Sequence, residues 1–310
     1  MAINMKGKNL ISINDLSKEE VAQILETAEI MKLRHYSHEE QPLLKGKVLG
    51  MIFQKPSLRT RVSFEAGMIQ LGGAAIYLGP EDIKLGQREA TKDIAQVLSR
   101  YVDGIMARTF SHEIILELAN YSSVPVINGL SDLLHPCQIL GDLLTIKEKK
   151  GRLSNLKLAY LGDGNNVAHS LLFGVVKVGM DIVLATPSNY EPKSEIVEQA
   201  KKDAKKMGSR VEIIHNPLEA ADKADIIYTD VWTSMGFEKE RDIRKNVFRP
   251  YQINQDLVNR AKDDVLILHC LPAHRGEEIT DEVIDGPHSV VIDQAENRLH
   301  AQKAILALLL

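Results

Sequence analysis

Cysteine is scarce in this chain. Cys137 and Cys270 are the only two among 310 residues. Two thiols cannot staple a small secreted scaffold, and they fall short of the four an all-cysteine zinc site requires. Aromatic residues are also few, with six Phe, eight Tyr and one Trp, which leaves little material for stacking platforms. There is no basic excess either. Lys and Arg total 38 against 42 Asp and Glu, a net charge of −4. That balance argues against a dedicated nucleic-acid binder while leaving room for local basic pockets. No apolar run exceeds about seven residues, far below the ~20 needed to cross a bilayer. The closing ILALLL, 305–310, reads as the buried end of a helix. The opening MAINMKGKNLISINDLSKEE carries neither the apolar core of a signal peptide nor an acid-free transit pattern. No fixed-period repeat or low-complexity block is visible. These absences predict a reduced, cytoplasmic protein with no membrane and no nucleic-acid partner.

Apolar residues make up 44% of the chain and charged residues 26%, so a sizeable core is available. The periodicity alternates between strand and helix. The first helix is expected over LSKEEVAQILETAEIMKLRHYS, then strands at 47–53, 74–79, 103–109 and 124–129 with helices between them. Residues 81–89 read as a polar loop and 132–151 as one long helix. The pattern restarts at 151–156. Strands are expected at 156–163, 181–187, 211–217, 224–232, 265–272 and 289–295, followed by a closing helix over 296–310. Such alternation gives parallel α/β layers. The expected architecture is therefore α/β with two domains, each a parallel sheet flanked by helices, and the active site in the interdomain crevice. Residues 1–150, with 296–310 packing back on them, form the first domain, and 151–295 the second.

Five motifs carry candidate chemistry. Lys55-Pro56-Ser57-Leu58-Arg59-Thr60-Arg61 lies between a strand and a helix start, where free N–H groups favour an anion. Ser57 and Thr60 add hydroxyls, and Arg59 and Arg61 add phosphate-matching forks; an ordinary solvated helix start is the competing reading. His135-Pro136-Cys137-Gln138 could present a His and a Gln to one small ligand, or satisfy nearby backbone instead. Arg108 ends the strand 103–109. Gly162-Asp163-Gly164-Asn165-Asn166 begins like a dinucleotide turn. The third glycine position, however, is Val167, and the next strand ends in Thr186-Pro187 without a ribose-binding acid. Asn165 and Asn166 then read as polar donors at a crevice, or as groups that merely satisfy the turn. Asp230-Val231-Trp232-Thr233-Ser234-Met235-Gly236 puts a carboxylate suited to an amine at a strand end, followed by a loop that could close over a substrate or simply cover the surface. His269-Cys270-Leu271-Pro272-Ala273-His274 admits four readings: a Cys–His nucleophile pair, a metal site short of a fourth ligand, a rigid turn presenting carbonyls to an amine, or a packed turn. Arg298 opens the closing helix, where it could return to the first-domain anion site.

In this order, the five motifs resemble the aspartate/ornithine carbamoyltransferase family, nearest to its ornithine-using members, over almost the whole chain. The strongest pieces are Phe53-Gln54-Lys55-Pro56-Ser57-Leu58-Arg59-Thr60-Arg61, His135-Pro136-Cys137-Gln138, Asp230 with Ser234-Met235-Gly236, and His269-Cys270-Leu271-Pro272. The resemblance implies carbamoyl transfer from carbamoyl phosphate to the side-chain amine of ornithine, giving citrulline and phosphate, with no cofactor and no metal. It implies that Ser57, Leu58, Arg59, Thr60, Arg108, His135, Gln138 and Arg298, with the backbone at Cys270 and Leu271, hold carbamoyl phosphate. Asn166, Asp230, Ser234 and Met235 match positions that bind ornithine. Arg59, Arg108, His135, Asp230 and Cys270 would carry the catalysis. It further implies a homotrimer, or a higher assembly of trimers. Two positions depart from the family pattern: Leu58 stands where Thr is usual, and Lys84 stands where ornithine enzymes carry a Gln supplied by a neighbouring subunit. Lys84 could instead meet the phosphate as a point charge, as in the aspartate enzymes.

Overall fold

The computed structural model describes residues 2–85, 89–233 and 238–310. In chain order the elements are α1 (Lys18–Tyr36), β1 (Val48–Phe53), α2 (Leu58–Gln70), β2 (Ala74–Leu78), α3 (Pro80–Ile83), α4 (Thr91–Leu98), β3 (Gly104–Arg108), α5 (His112–Tyr121), β4 (Val126–Leu130) and α6 (Pro136–Lys150). Then follow β5 (Lys157–Leu161), α7 (Asn166–Lys177), β6 (Asp181–Ala185), α8 (Ser194–Met207), β7 (Val211–Ile214), α9 (Pro217–Ala221), β8 (Ile226–Thr229), α10 (Arg241–Phe248), α11 (Gln255–Val258), β9 (Leu266–His269), α12 (Asp281–Ile284) and α13 (Val291–Leu309). The chain divides into two compact units: Met1–Leu144 with Glu296–Leu310, and Thr145–Ala295. The boundaries fall inside α6 and α13. No helix among the described residues is long and apolar enough to cross a membrane.

The first unit holds a parallel sheet in the order β2-β1-β3-β4. β4 is buried at every residue and β1 at all but its first. Strands covered on both faces read as continuous apolar runs, which is why 47–53 and 124–129 stand out in the sequence. Ile52, Ile105, Ala107, Ile115, Leu118 and Val126 share one core cluster. The second unit holds a parallel sheet in the order β7-β6-β5-β8-β9. Its core joins Ala159, Leu161, Ile227 and Ile267 to Ile253 and Leu257. α7 is buried from Val167 to Val176, so it is covered all round, with His169 and Ser170 the polar members of that stretch.

Each sheet reverses its strand order once, between β1 and β3 in the first unit and between β5 and β8 in the second. Ligands of open α/β sheets bind outside the strand C-termini at such a switch point. Register places Phe53 opposite Arg108 at the first reversal and Leu161 opposite Thr229 at the second. The candidate motifs therefore begin where the topology leaves a crevice in each sheet.

Four sequence expectations need correction. The 81–89 loop begins with the short α3, because Pro80 stands at its start and the Asp82 carboxylate accepts the Gly79 N–H at 2.6 Å. The long helix starts at Pro136 and not at 132, since a residue before proline is steered out of helical geometry. The strand expected at 289–295 is largely the first turn of α13. There Val290, Val291, Gln294, Asn297 and Arg298 are buried while Ile292 is exposed, a helical rather than an alternating period. Three β-branched residues in a row imitate a strand too briefly for the period to show. The closing helix accordingly begins at Val291, five residues before the expected 296. Beyond these, the sequence reading passed over α10, α11 and α12 altogether.

Candidate active site

In the first unit, Ser57 caps α2. Its backbone is extended and its Oγ accepts the Thr60 N–H at 3.4 Å. The N–H groups of Leu58 and Arg59, in the first turn, have no carbonyl of their own helix to meet. The Leu58 side chain is 74% exposed, so this position offers backbone only. Arg59 is half-buried in the same first turn. Arg61 is turned elsewhere: it pairs with Glu65 at 3.3 Å and its guanidinium lies 4.0 Å from the centre of the Tyr77 ring.

Thr60 is buried, and two guanidiniums converge on its hydroxyl. Arg108 Nη1 donates to Oγ1 at 3.4 Å, and Arg298 Nη2 donates to it at the same distance. Arg298, itself 3% exposed, also donates to Gln138 Oε1 at 2.6 Å. Gln138 passes its own amide N–H to Asp142 at 2.8 Å. The Gln302 amide, turned so that its oxygen faces the guanidinium, accepts from Arg298 at 3.0 and 3.2 Å. Gly141 makes this arrangement possible. A Cβ there would lie 3.3 Å from the Arg298 backbone nitrogen and side-chain Cδ, so α6 and α13 could not approach as closely. Burial, followed by the Arg298 and Arg108 cations, holds the His135 imidazole well below its ordinary pKa. His135 is thus a neutral ring beside two positive charges, able to donate one hydrogen bond. Next to it, burial pushes the Cys137 thiol up to about 12, and its Sγ bonds the Asn128 carbonyl at 3.4 Å, which makes it a packing residue.

Lys84 sits apart on the loop after α3. Its backbone is left-handed, with φ 44°, and its ammonium lies 3.5 Å from Glu81. It helps line a cavity of about 240 Å³ with Phe53, Gln54, Pro80 and Phe110 at the end of β1.

In the second unit, Asp230 follows β8 and is 7% exposed. Its two oxygens have different partners. Oδ2 accepts from Asn165 Nδ2 at 2.8 Å; Oδ1 accepts from the Val231 N–H at 2.8 Å and from the Cys270 thiol at 2.9 Å. Asn165 makes this contact with Asp230, and its own Oδ1 caps α7 by accepting from Val167 and Ala168. Asn166 is the first residue of that helix. Ser234, Met235 and Gly236 lie outside the described residues.

The His269–Leu271 turn is fixed from beneath. His269 Nδ1 accepts the Leu271 N–H at 2.9 Å, which leaves Nε2 to donate to Glu278 at 2.9 Å; both side chains are fully buried. With both ring nitrogens engaged, His269 is no base for Cys270. The thiol's partner is a carboxylate, so the Cys–His nucleophile pair is not assembled here. Asp230, His269 and Cys270 do bring three ligand atoms within 4.8 Å of one another. An ion there would have to take the Nδ1 lone pair from Leu271 and undo the turn. Leu271 itself is left-handed, with φ 56°, and since its N–H is committed the turn offers a ligand its carbonyl.

Several residues of this constellation escaped the sequence reading: Asp142, Gln302, Glu278 and Arg244; Asp163 lies in the Gly162–Asn166 motif but has no role in that reading. Arg244 Nη1 donates to Asp163 at 2.9 Å and to the Trp232 carbonyl at 3.0 Å. Asp142 is marked only as a polar residue in an apolar stretch, and Glu278 and Arg244 lie in charged stretches where nothing sets them apart.

Comparison with known proteins gives one family over both units. Residues 8–148 match the carbamoyl-P binding domain of the aspartate/ornithine carbamoyltransferases, and residues 154–309 match their Asp/Orn binding domain. The chain is 55% identical to the ornithine carbamoyltransferase of Pyrococcus abyssi, covering 100% of this chain and 98% of that one. It is 57% identical to the ornithine carbamoyltransferase of Halalkalibacterium halodurans, with 99% and 97% covered. Among solved structures, the ornithine carbamoyltransferase of Pyrococcus furiosus superposes with a TM-score of 0.97 at 54% identity, covering 99% of this chain and 98% of that one.

Proposed function

This chain belongs to the aspartate/ornithine carbamoyltransferase family, and from that premise we propose that it transfers the carbamoyl group of carbamoyl phosphate to the side-chain amine of L-ornithine, giving L-citrulline and phosphate. The observation that carries the amine half is the Cys270 thiol on the Asp230 carboxylate, two residues 40 apart in sequence brought to 2.9 Å at a strand end. A buried carboxylate in this setting favours a cationic or hydrogen-bond-donating amine.

In this reading the first unit binds the donor. Ser57, Leu58, Arg59 and Thr60 hold the phosphate through backbone and side chain, and Arg108 and Arg298 supply charge from the opposite side. Gln138 orients Arg298, and neutral His135 donates to the carbonyl oxygen. Asn166, Asp230, Ser234 and Met235 bind ornithine, with the thiol of Cys270 holding Asp230 in place. The carbonyls of Cys270 and Leu271 accept from the carbamoyl NH2. The amine nitrogen, once neutral, attacks the carbonyl carbon. The C–O bond to phosphate breaks, and the phosphate leaves with the bond pair and accepts the amine proton. Arg59, Arg108 and His135 face the charge that grows on the carbonyl oxygen and the departing phosphate. Orientation and electrostatics suffice, and no covalent carbamoyl-enzyme is needed.

We place the protein in the cytoplasm as a homotrimer or an assembly of trimers. Exposed Lys84 is then available to a neighbouring subunit's phosphate as a point charge. The test is citrulline formation from carbamoyl phosphate with a panel of amines: ornithine, putrescine and aspartate. Citrulline from ornithine alone is the expected result. Turnover with aspartate or putrescine in its place overturns the assignment, and no turnover with any amine points to a silent binding module. Mass measurement of the native assembly checks the trimer.

A further inference from the structure

Arg244 lies on α10, outside every motif of the sequence, yet its side chain is only 5% exposed. We propose that Arg244 is a positioning residue for the amine substrate, acting through Asp163 and Asn165 on Asp230. The proposal rests on the reading of Asp230 as the amine-binding carboxylate.

The chain of contacts is continuous. Arg244 Nη1 bonds Asp163 Oδ2 at 2.9 Å and the Trp232 carbonyl at 3.0 Å, and its Nε bonds Glu240 at 3.0 Å. The guanidinium carbon lies 4.9 Å from the Tyr190 ring centre and 5.9 Å from that of Phe248, so the fork is held by aromatic rings as well as hydrogen bonds. Asp163 opens the turn that carries Asn165. Its carbonyl accepts from Tyr160 at 2.9 Å and from the Asn165 N–H at 2.8 Å. Gly164 donates to the Tyr190 carbonyl at 2.8 Å. A Cβ at Gly164 would come within 2.2 Å of the Pro192 backbone nitrogen, so the turn is pressed against its neighbour and has little freedom of its own. Asn165 then donates to Asp230 Oδ2 at 2.8 Å. Arg244 thus reaches the Asp230 carboxylate through the turn at Asp163 and Asn165, while its bond to the Trp232 carbonyl anchors the guanidinium itself.

A buried ion pair adds little net stability, because taking both charges out of water offsets their attraction. What the guanidinium, held by Glu240 and the rings, does supply is a fixed direction for Asp163. Loss of that direction lets Asn165 turn away from Asp230, and the carboxylate loses the partner that sets its orientation toward the amine. The predicted signature is a defect in ornithine binding with the donor site untouched.

The experiment uses the full-length chain and its citrulline assay. The unaltered chain must first form citrulline; failure there overturns the functional reading and is seen before any variant is made. Arg244→Met is expected to raise the KM for ornithine by about tenfold or more while the KM for carbamoyl phosphate stays within about twofold. Arg244→Lys keeps the charge without the fork and recovers part of the loss. Asp163→Asn reproduces the ornithine defect. In Arg244→Met combined with Asn165→Ala, the ornithine KM matches that of Asn165→Ala alone, since one route is cut twice. Arg241→Ala, which removes a surface pair to Glu277, leaves all constants unchanged. Where Arg244→Met fails to fold, Arg244→Lys and Asp163→Asn carry the test at nearly native volume. An ornithine KM within about twofold of the unaltered chain in the folded variants, a parallel rise in the carbamoyl phosphate KM, or multiplicative effects in the double variant each overturn the proposal.

Discussion

Replacing Arg298 by Met separates what the first-unit cluster does for binding from what it does for stability. Arg108 and Arg298 both reach Thr60 Oγ1 at 3.4 Å, so the two donating nitrogens are no more than about 7 Å apart. At an effective dielectric of about 20, two like charges at that separation repel by ~2 kcal/mol. Met relieves this repulsion. It also strips Gln138 and Gln302 of a charged donor, at about 1.5–3 kcal/mol for each charge-assisted bond, or roughly 3–6 kcal/mol together. Relief of the repulsion offsets part of this, leaving a net loss of about 1–4 kcal/mol. The melting temperature without ligand should therefore fall by roughly 2–16 °C, at about 2–4 °C per kcal/mol for units of this size. Binding is read separately from that fall. Inorganic phosphate at a hundred times its Kd stabilises the unaltered chain by about 2.7 kcal/mol. Should the variant bind about a hundredfold more weakly, the same concentration gives only about 0.4 kcal/mol. Thermal melts of both proteins with and without phosphate read this directly. If Arg298→Met keeps the full phosphate-induced shift, Arg298 is not part of the phosphate cradle and the convergence on Thr60 is a packing feature only.

Other perturbations give equally direct outcomes. Arg59→Ala should lower kcat/KM by at least about a hundredfold, as expected for removal of a charge that meets the departing phosphate, while the melting temperature barely changes; near-normal turnover refutes the role. Cys270→Ala removes the thiol donor from Asp230 and should raise the ornithine KM about fivefold, the equivalent of roughly 1 kcal/mol, with Cys270→Ser restoring most of it. Intact-mass measurement during turnover should show no carbamoyl adduct on the chain. In the first unit, burial pushes His300 down to about 4, with Glu296 opposing and Lys32 and Lys303 adding to the effect. The unfolded imidazole takes its proton near 6.5 and the folded one does not. Stability should therefore be complete above pH 6.5 and fall toward pH 4, by up to about 1.4 kcal/mol per pH unit from this one group. His300→Gln should flatten that slope in denaturant titrations at pH 7.5 and pH 5, and an unchanged slope places its origin elsewhere.

What the sequence could reveal depended on range. Strands such as Val48–Phe53 and Val126–Leu130 were legible because burial on both faces writes itself as an unbroken apolar run. The helix start at Pro136 was misjudged because Leu133 and Leu134 continue the apolar pattern past the point where proline forbids it. Val290-Val291-Ile292 misled for the opposite reason, since β-branched residues resemble strand until the buried polar positions Gln294 and Asn297 expose the helical period. Among site residues, Ser57, Thr60, Arg108 and Asp230 lie at strand or helix ends, where pattern alone marks a place for ligands. Arg244 and Asp163 are 81 positions apart, and nothing local joins them. Asn165 and Asn166 are adjacent and alike in sequence, and nothing local says that the first bonds Asp230 and caps α7 while the second opens the helix.

The first unit is assembled from both ends of the chain. The Gly7 N–H bonds the Leu309 carbonyl, and Arg298 closes the cluster on Thr60 from the last helix. A ribosome therefore completes the second unit before it has made Glu296–Leu310, the segment the first unit still lacks. During synthesis the Thr60 cluster stays open on the Arg298 side until that residue has left the exit tunnel. Any chain cut short before residue 298 would retain Asp230 and Cys270 in sequence yet lack one of the two guanidiniums that meet at Thr60. Chain order thus makes closure of this cluster a late event, after nearly every other residue has been made.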